Sequence, residues 1–232
     1  MGPSTNPEPI REEFCFGMTH ERKYYKYDKI FFKRSIRQSE WRSHGGVTFV
    51  PKLNKERIIN EGACLKFLWE NTNIPLPKLY ACFEDDGVGC LMTEYVDGVG
   101  MDELTPEKKN VVIRELMEHL TTLKTLTSSK WGGLAGSVLP PYRVMRMCDG
   151  PWHMRDRKEP SLVFCHNDLS ENNVLVDPSS LKIKAIIDWE YAGFFPSEFE
   201  RPFYERSGPS IALSNEVDDV DTLLELMNKE KA

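Results

Sequence analysis

The sequence lacks the long apolar run of a membrane-spanning helix, which needs about 18 uninterrupted apolar residues. Its first residues, Met1 to Asn6, are polar and lack the apolar core of a secretion signal. Both absences predict a water-soluble protein of the cytoplasm that does not bind a membrane. The 232 residues, of which 40% are hydrophobic, are enough to bury a core in one or two domains without disulfide support.

An excess of basic residues is also missing, because 30 lysines and arginines stand against 36 aspartates and glutamates, a net charge of −6. This balance argues against nucleic acid as a partner. The six cysteines include no C-x-x-C pair, so a zinc site or a thioredoxin-type centre has no support. Cys165 ends an apolar run beside His166; we interpret it as a buried core thiol, with a thiol nucleophile as the alternative.

Strand patterns dominate the first part of the chain. Residues 1–13 contain three prolines among polar residues and are predicted to be a loose N-terminal segment. Residues 14–35 indicate two or three antiparallel strands. Apolar residues recur at helical spacing over residues 54–71, and two further strands are predicted within residues 79–96.

Helix patterns dominate the second part. Thr105 followed by Pro106 is typical of a helix start, and residues 215–229 carry one apolar face. The change in pattern predicts two lobes, a sheet-rich one over residues 14–96 and a helix-led one over residues 97–232.

Polar residues gather at one end of a hairpin predicted within residues 174–187. Asp168 and Asn173 precede its first strand, and Asp188 follows its second. Since a hairpin returns the chain to its starting end, we expect these three side chains to lie close together. Two carboxylates and an amide need cations or hydrogen-bond donors, and their oxygens suit Mg²⁺, which takes further ligands from phosphates. The arrangement predicts a phosphorylated cosubstrate.

The residue pattern of this segment resembles the signature of a known superfamily. His-Asn-Asp-Leu over residues 166–169, Asn-Val-Leu over 173–175 and Ile-Asp-Trp-Glu-Tyr-Ala-Gly over 187–193 are similar to the signature of aminoglycoside phosphotransferases and choline kinases. The resemblance implies an α+β, bilobal protein-kinase-like fold. Its N-lobe is a small antiparallel sheet with one helix, and its mainly α-helical C-lobe contains the catalytic-loop hairpin. The implied activity is ATP- and Mg²⁺-dependent transfer of the γ-phosphate to a hydroxyl of a small molecule.

The resemblance also implies residue roles. Asp168 is expected to be the general base for the substrate hydroxyl, and His166 is expected to brace its loop. Asn173 and Asp188 are expected to be the Mg²⁺ ligands.

Further nucleotide contacts are implied upstream. Lys33 is the expected phosphate-binding lysine and Glu61 its ion-pair partner, the alternative being a solvated strand end and a carboxylate that reaches solvent. Residues 91–96 resemble the hinge, where main-chain groups near Glu94 and Val96 are expected to take the adenine edge. An ordinary buried strand is the alternative for this segment.

One departure from the superfamily concerns the phosphate loop. No G-x-G-x-x-G precedes Lys33, and Gly17 is the only glycine near the expected position. A catalytically degenerate, pseudokinase-like binding module is therefore an alternative. A protein kinase is a weaker one, because no activation segment ending in Ala-Pro-Glu follows Asp188.

Acidic residues follow Asp188 and bear on the acceptor. They could meet a cationic small molecule, or they could be solvated surface carboxylates. The residues concerned are Glu190, Glu198, Glu200 and Glu205.

Overall fold

The computed structural model describes residues 12–232, so residues 1–11 of the predicted loose segment lie outside the described part of the chain. Over residues 12–232, none of the helices combines the length and the apolar character that crossing a bilayer requires. Up to residue 100, the elements are β1 (Cys15–Met18), β2 (Arg22–Tyr27), β3 (Ile30–Ser35), β4 (Ser43–His44), β5 (Val47–Thr48), α1 (Asn54–Asn71), β6 (Leu79–Asp85), β7 (Val88–Glu94) and β8 (Val99–Gly100).

The N-lobe is a five-stranded antiparallel sheet in the order β1-β2-β3-β7-β6. Its strands are rich in the aromatic and β-branched residues that favour pleated structure. Asp86 and Gly87 join β6 to β7 with φ values of 46° and 76°. Two positive φ angles give a turn whose twist matches that of the flanking strands, and Asp-Gly is the dipeptide that accommodates them best.

Helix α1 has the limits predicted from the sequence and packs against β6 and β7. Ile58, Leu65 and Leu68 form its buried stripe. A Cβ added at Gly62 would lie 2.5 Å from Cβ of Cys82 on β6, a distance that real side chains do not reach. The missing side chain at Gly62 is therefore what allows α1 to approach the sheet so closely.

The C-lobe includes β8 and contains three α-helices and two small sheets. One sheet has the strand order β13-β10-β9, and the other joins the predicted hairpin β11-β12 to β8. The further elements are α2 (Pro106–Thr125), β9 (Thr127–Ser128), α3 (Tyr142–Met145), β10 (Leu162–Cys165), β11 (Val174–Val176), β12 (Ile183–Ile186), β13 (Gly193–Phe195) and α4 (Val220–Lys229).

Helix α4 begins five residues later than the start at Asn215 that its pattern predicts. Side chains that were expected in its first turn instead accept hydrogen bonds from backbone groups before or at the start of the helix. Oε2 of Glu216 accepts the backbone N–H of Leu213 at 3.0 Å, and Oδ1 of Asp218 accepts that of Val220 at 3.0 Å. Such local side-chain bonds offer the backbone an alternative to helix, so the helix starts after them.

One hydrophobic core joins the two lobes. Phe67 of α1 stacks on Phe164 of β10 with ring centroids 5.6 Å apart. Trp189 is fully buried in the same core, and its indole N–H donates to the carbonyl of Ile186 at 2.8 Å. Cys165 is buried in this core too, and burial raises the pKa of its thiol well above the usual value, as the core-thiol interpretation requires.

We predict that Gly62→Ala destabilises the protein by about 1–3 kcal/mol, because the added Cβ must displace Cys82 or the helix. At an open helical position the same change is stabilising by up to about 1 kcal/mol. Urea unfolding followed by circular dichroism measures the difference. Cys82→Gly removes the opposing atoms, so the double variant should be more stable than the two single effects sum to. A stabilised Gly62→Ala protein would contradict this packing.

Candidate active site

A cavity of about 280 Å³ lies between the five-stranded sheet and the β11-β12 hairpin. Six of the eight residues predicted from the sequence line it, and they come from β3, α1, the end of β7 with the segment after it, and the two sides of the β11-β12 hairpin. Asp168 and His166 lie outside the lining, beside Asn173 and Ile187. The six lining residues are Lys33, Glu61, Glu94, Val96, Asn173 and Asp188.

Lys33 on β3 holds its ammonium between two carboxylates. Its Nζ lies 2.5 Å from Oε2 of Glu61 and 2.8 Å from Oδ1 of Asp188. Burial by itself lowers the pKa of Lys33, but the charges of Asp188 and Glu61 outweigh it and raise that pKa above its usual value. Burial raises the pKa of Glu61 to about 7, against the opposing effect of Lys33. Both Lys33 and Glu61 are almost fully buried, so the solvated alternative does not describe them.

The loop after β10 is held by its own histidine. His166 is fully buried, its Nε2 lies 3.0 Å from the carbonyl of Ile187, and its Nδ1 accepts the backbone N–H of Asp168 at 3.3 Å. Burial lowers the pKa of His166 to about 4, so the ring is neutral, with its proton on Nε2. The histidine thus ties the Asp168 backbone to the strand that leads into Asp188.

Asn173 makes the second tie. Its Nδ2 donates to the backbone carbonyl of Asp168 at 2.7 Å, and the Asn173 carbonyl accepts the N–H of Ile187 at 3.0 Å. Within residues 12–232, Oδ1 of Asn173 accepts no hydrogen bond. The amide of Asn173 therefore fixes the loop with its nitrogen and leaves its oxygen for the cavity.

Asp168 is half-buried and its charge is disfavoured. Burial and the nearby charge of Asp188 raise the pKa of Asp168 to about 7. This pKa is close to the value that suits a group that transfers protons near neutral pH.

Glu200 is a loop-holding residue that sequence reasoning did not predict. Its Oε2 accepts the backbone N–H groups of His166 and, at 3.3 Å, of Asn167. Burial raises the pKa of Glu200 to about 7, although these N–H groups oppose the shift. Glu200 is therefore neither a solvated carboxylate nor free to meet a cationic acceptor, whereas Glu198 and Glu205 are exposed.

Glu190 is also buried, contrary to the surface interpretation. Its Oε2 lies 2.6 Å from Nη2 of Arg22 on β2, and its Oε1 lies 3.6 Å from Nη1 of Arg57 on α1. Arg57 further pairs with Glu21 at 2.6 Å and donates to the hydroxyl of Tyr191. We call these five residues the Glu190 ion cluster. The arginines charge-balance Glu190 and hold its pKa well below the usual value, against the effect of burial.

Three carboxylates of the site come close enough to share a metal ion. Oxygen atoms of Glu61, Asp188 and Glu190 lie within 4.8 Å of one another. Glu61 and Glu190 are engaged by buried cations, whereas Asp188 keeps about a third of its side chain exposed. Asp188 and the free amide oxygen of Asn173 therefore offer the hard oxygen donors that Mg²⁺ prefers.

The turn between β1 and β2, residues 19–21, is where the resemblance leads us to expect a phosphate loop. Oγ1 of Thr19 accepts the backbone N–H groups of Glu21 at 3.2 Å and of Arg22 at 3.0 Å. Nδ2 of Asn54 donates to the Glu21 carbonyl at 2.9 Å. Two N–H groups that a glycine loop would present to phosphates are thus bound to a side chain of the turn itself.

The segment between the lobes leaves the sheet earlier than predicted, because β7 ends at Glu94. The N–H groups of Glu94 and Tyr95 donate to Lys78 and Lys29 carbonyls at 2.9 and 2.8 Å. The N–H and carbonyl of Val96 bond to no other backbone group of the described residues. These groups are available to a ligand in the cavity.

Comparison with solved structures assigns the fold. The protein has the protein-kinase-like fold, as the sequence predicted. Aminoglycoside phosphotransferase APH(4)-Ia superposes with a TM-score of 0.54 at 15% identity, over 80% of this chain and 68% of that chain. The GDP and kanamycin complex of APH(2")-IIia superposes with a TM-score of 0.53 at 16% identity, over 92% and 80% of the two chains.

Sequence comparison also finds similarity to aminoglycoside phosphotransferases and to choline kinases, which confirms the predicted resemblance. The choline/ethanolamine kinase family model matches residues 142–200. Aminoglycoside 3'-phosphotransferase from Streptomyces fradiae is 28% identical over an alignment of 138 residues that covers 50% of this chain and 52% of that protein. Serine/threonine-protein kinase D from Synechocystis sp. is 27% identical over 52% of this chain and 23% of that protein. The chain thus spans about half of the first relative and less of the second.

We predict that the buried carboxyl of Glu200 makes stability depend on pH. Its pKa is about 7 in the folded protein, against a usual value of 4.5. Between these values the unfolded chain loses the proton while the folded protein keeps it, so the free energy of unfolding falls as pH rises from 4.5 to 7. Glu200→Gln cannot ionise and should abolish up to about 3 kcal/mol of this decrease.

Urea unfolding of the wild type and Glu200→Gln at several pH values between 4.5 and 7.5 measures the two slopes. The exposed neighbour Glu198→Gln is the matched control and should keep the wild-type slope. Parallel slopes for Glu200→Gln and the wild type would show that Glu200 is ionised in the folded protein over this range.

Proposed function

We propose that this chain is an ATP- and Mg²⁺-dependent phosphotransferase that transfers the γ-phosphate to a hydroxyl of a small molecule. The observation that carries the proposal is the buried Lys33, held between Glu61 and Asp188 at the wall of a cavity that Asn173 also lines. We place the N-lobe at residues 14–96, with the hinge at about 91–96, and the C-lobe at residues 97–232.

Several features support nucleotide binding. Lys33 offers a permanent positive charge to phosphates, and the free backbone groups of Val96 offer one donor and one acceptor to the edge of a base. APH(4)-Ia variants form ternary complexes with ADP or AMP-PNP and hygromycin B, with TM-scores of 0.50 and 0.52 to this chain. These complexes support ATP as the phosphate donor and a small molecule with hydroxyl groups as the acceptor.

Asn173 and Asp188 are the proposed Mg²⁺ ligands. When bound, the ion neutralises charge on the β- and γ-phosphates. On the protein side, the Lys33 ammonium keeps Asp188 oriented, and Asn173, which lines the cavity, uses its amide nitrogen for the loop contact and keeps its oxygen for a ligand.

Asp168 is the proposed general base. It accepts the proton of the acceptor hydroxyl while that oxygen bonds to the γ-phosphorus, and the bond from phosphorus to the β–γ bridging oxygen breaks to release ADP. A pKa of about 7 lets Asp168 hold this proton after transfer. His166 and Glu200 position the loop through its backbone rather than by contact with the substrate.

A nucleotide-binding module without catalysis is the second candidate. The absence of glycines from residues 19–21 and the occupied N–H groups of that turn favour it. Turnover and nucleotide binding therefore have to be measured separately.

We predict that Asp168→Asn lowers kcat by about 100- to 10,000-fold with little change in nucleotide affinity, because the amide cannot accept the hydroxyl proton. ADP release is measured with hygromycin B, kanamycin, choline and ethanolamine as acceptors. Exposed Asp156→Asn is the control and should turn over like the wild type. Wild-type kcat in Asp168→Asn would reject Asp168 as the base.

We predict that ATP raises the melting temperature by about 5–10 °C at 100 times its dissociation constant, and that this shift requires Mg²⁺. In Asp188→Asn, adding Mg²⁺ should no longer change the shift in melting temperature that ATP causes. Asp188 has a φ of 66°, which asparagine also tolerates, and exposed Asp86, with a φ of 46°, provides a matched Asp→Asn control.

The outcomes of this titration separate the candidates. A Mg²⁺-dependent shift in the wild type and in Asp86→Asn, but not in Asp188→Asn, supports the proposed site. A nucleotide shift without turnover of any acceptor favours the binding module, and no shift with millimolar ATP contradicts both.

A further inference from the structure

The turn at residues 19–21 has few donors to offer to a phosphate. The N–H groups of Glu21 and Arg22 bond to Thr19. Two nitrogens of the Arg22 guanidinium are occupied as well, because Nη2 pairs with Glu190 and Nη1 donates to the Glu21 carbonyl at 3.2 Å, and the third, Nε, is buried. The sheet must therefore supply a phosphate contact from another residue, if a nucleotide binds as proposed above.

Tyr24 lies at the required place. It pairs in register with Lys33 across β2 and β3, so both side chains project from the same face of the sheet. Tyr24 also lines the cavity together with Lys33 and Asp188. On its other side, Tyr24 pairs with Gly17 of β1, where an added Cβ would contact the tyrosine ring at 3.5 Å.

The hydroxyl of Tyr24 is unused. Within residues 12–232 it makes no hydrogen bond, whereas the hydroxyl of the neighbouring Tyr25 bonds to Glu12 and Arg34. Burial raises the pKa of Tyr24, and the charges of Lys33 and Asp188 both act on it. The hydroxyl is thus a protonated donor in the field of Lys33 and Asp188.

The ring of Tyr24 has a separate environment. It lies 6.4 Å from the ring of Phe16 and 6.2 Å from that of Phe31, and Phe31 also lines the cavity. These aromatic side chains form an apolar wall on the sheet side, suited to the flat face of a nucleoside. The ring and the hydroxyl of Tyr24 can therefore be tested apart.

We propose that the Tyr24 hydroxyl donates a hydrogen bond to the phosphate chain of the bound nucleotide, in place of the backbone N–H groups of a glycine loop. This inference rests on the proposed function. A hydrogen bond to a charged acceptor contributes more than one between neutral groups, so its loss is measurable.

The test compares ATP with adenosine by calorimetric titration in the presence of Mg²⁺, with GTP and guanosine as a parallel pair. Tyr24→Phe keeps the ring and removes the hydroxyl, and it should weaken ATP binding about tenfold while adenosine binds as to the wild type. Tyr27→Phe, an exposed tyrosine on the opposite face of β2, is the matched control and should change neither affinity.

Each result is decisive. Selective loss of ATP affinity in Tyr24→Phe supports the assignment. Unchanged ATP affinity, or an equal loss for ATP and adenosine, overturns it while leaving the proposed function intact. A wild type that binds neither ATP nor GTP overturns the proposed function, and this inference with it.

Discussion

The Glu190 ion cluster is the interaction on which the arrangement of the site depends. Arg22 comes from the sheet, Arg57 from α1 and Glu190 from the segment after the hairpin, and all three are buried. Taking such charges out of water is costly, and removing one partner of a buried pair typically costs about 3–5 kcal/mol, because the other stays buried and unpaired. The three elements can therefore meet in few other ways. Since Glu190 lies two residues after Asp188, the geometry that satisfies the cluster also brings Asp188 to Lys33.

The two carboxylates that share Lys33 are not equivalent. The Glu61 side chain is 6% exposed and the Asp188 side chain 36% exposed. Glu61 is thus surrounded by protein and orients the ammonium, whereas Asp188 keeps an open side toward the cavity. The amide of Asn173 shows a similar division, with its nitrogen bonded to the loop and its oxygen free. In the first case Glu61 positions the ammonium and Asp188 stays accessible; in the second the amide nitrogen positions the loop and the oxygen stays accessible. Such a division is what a preorganised ligand site needs.

Local patterns in the sequence account for much of this structure. Helical spacing gives the limits of α1, and a carboxylate within its apolar stripe indicates that Glu61 needs a cation. Hairpin geometry alone brings Asn173 and Asp188 to one end. Contacts between distant segments were not predictable: Arg22 and Glu190 are 168 residues apart, and no periodicity relates them. The loop-holding role of Glu200 was not predicted for a related reason. A carboxylate that accepts hydrogen bonds from backbone N–H groups of another loop has the same sequence signature as a solvated carboxylate.

The missing glycines and the ion cluster are connected. Glu21 in the turn at residues 19–21 pairs with Arg57, so the cluster that anchors the Asp188 segment also draws this turn toward α1. A turn held by Thr19, Asn54 and Arg57 does not present the N–H groups of Glu21 and Arg22 to phosphates as a glycine loop would. The donors that remain on the sheet are side chains, and the β2-β3 register decides which ones face the cavity. That register sets Tyr24 opposite Lys33, and a slip of β3 by one residue would turn toward the site its opposite face, on which Arg34 pairs with Glu40.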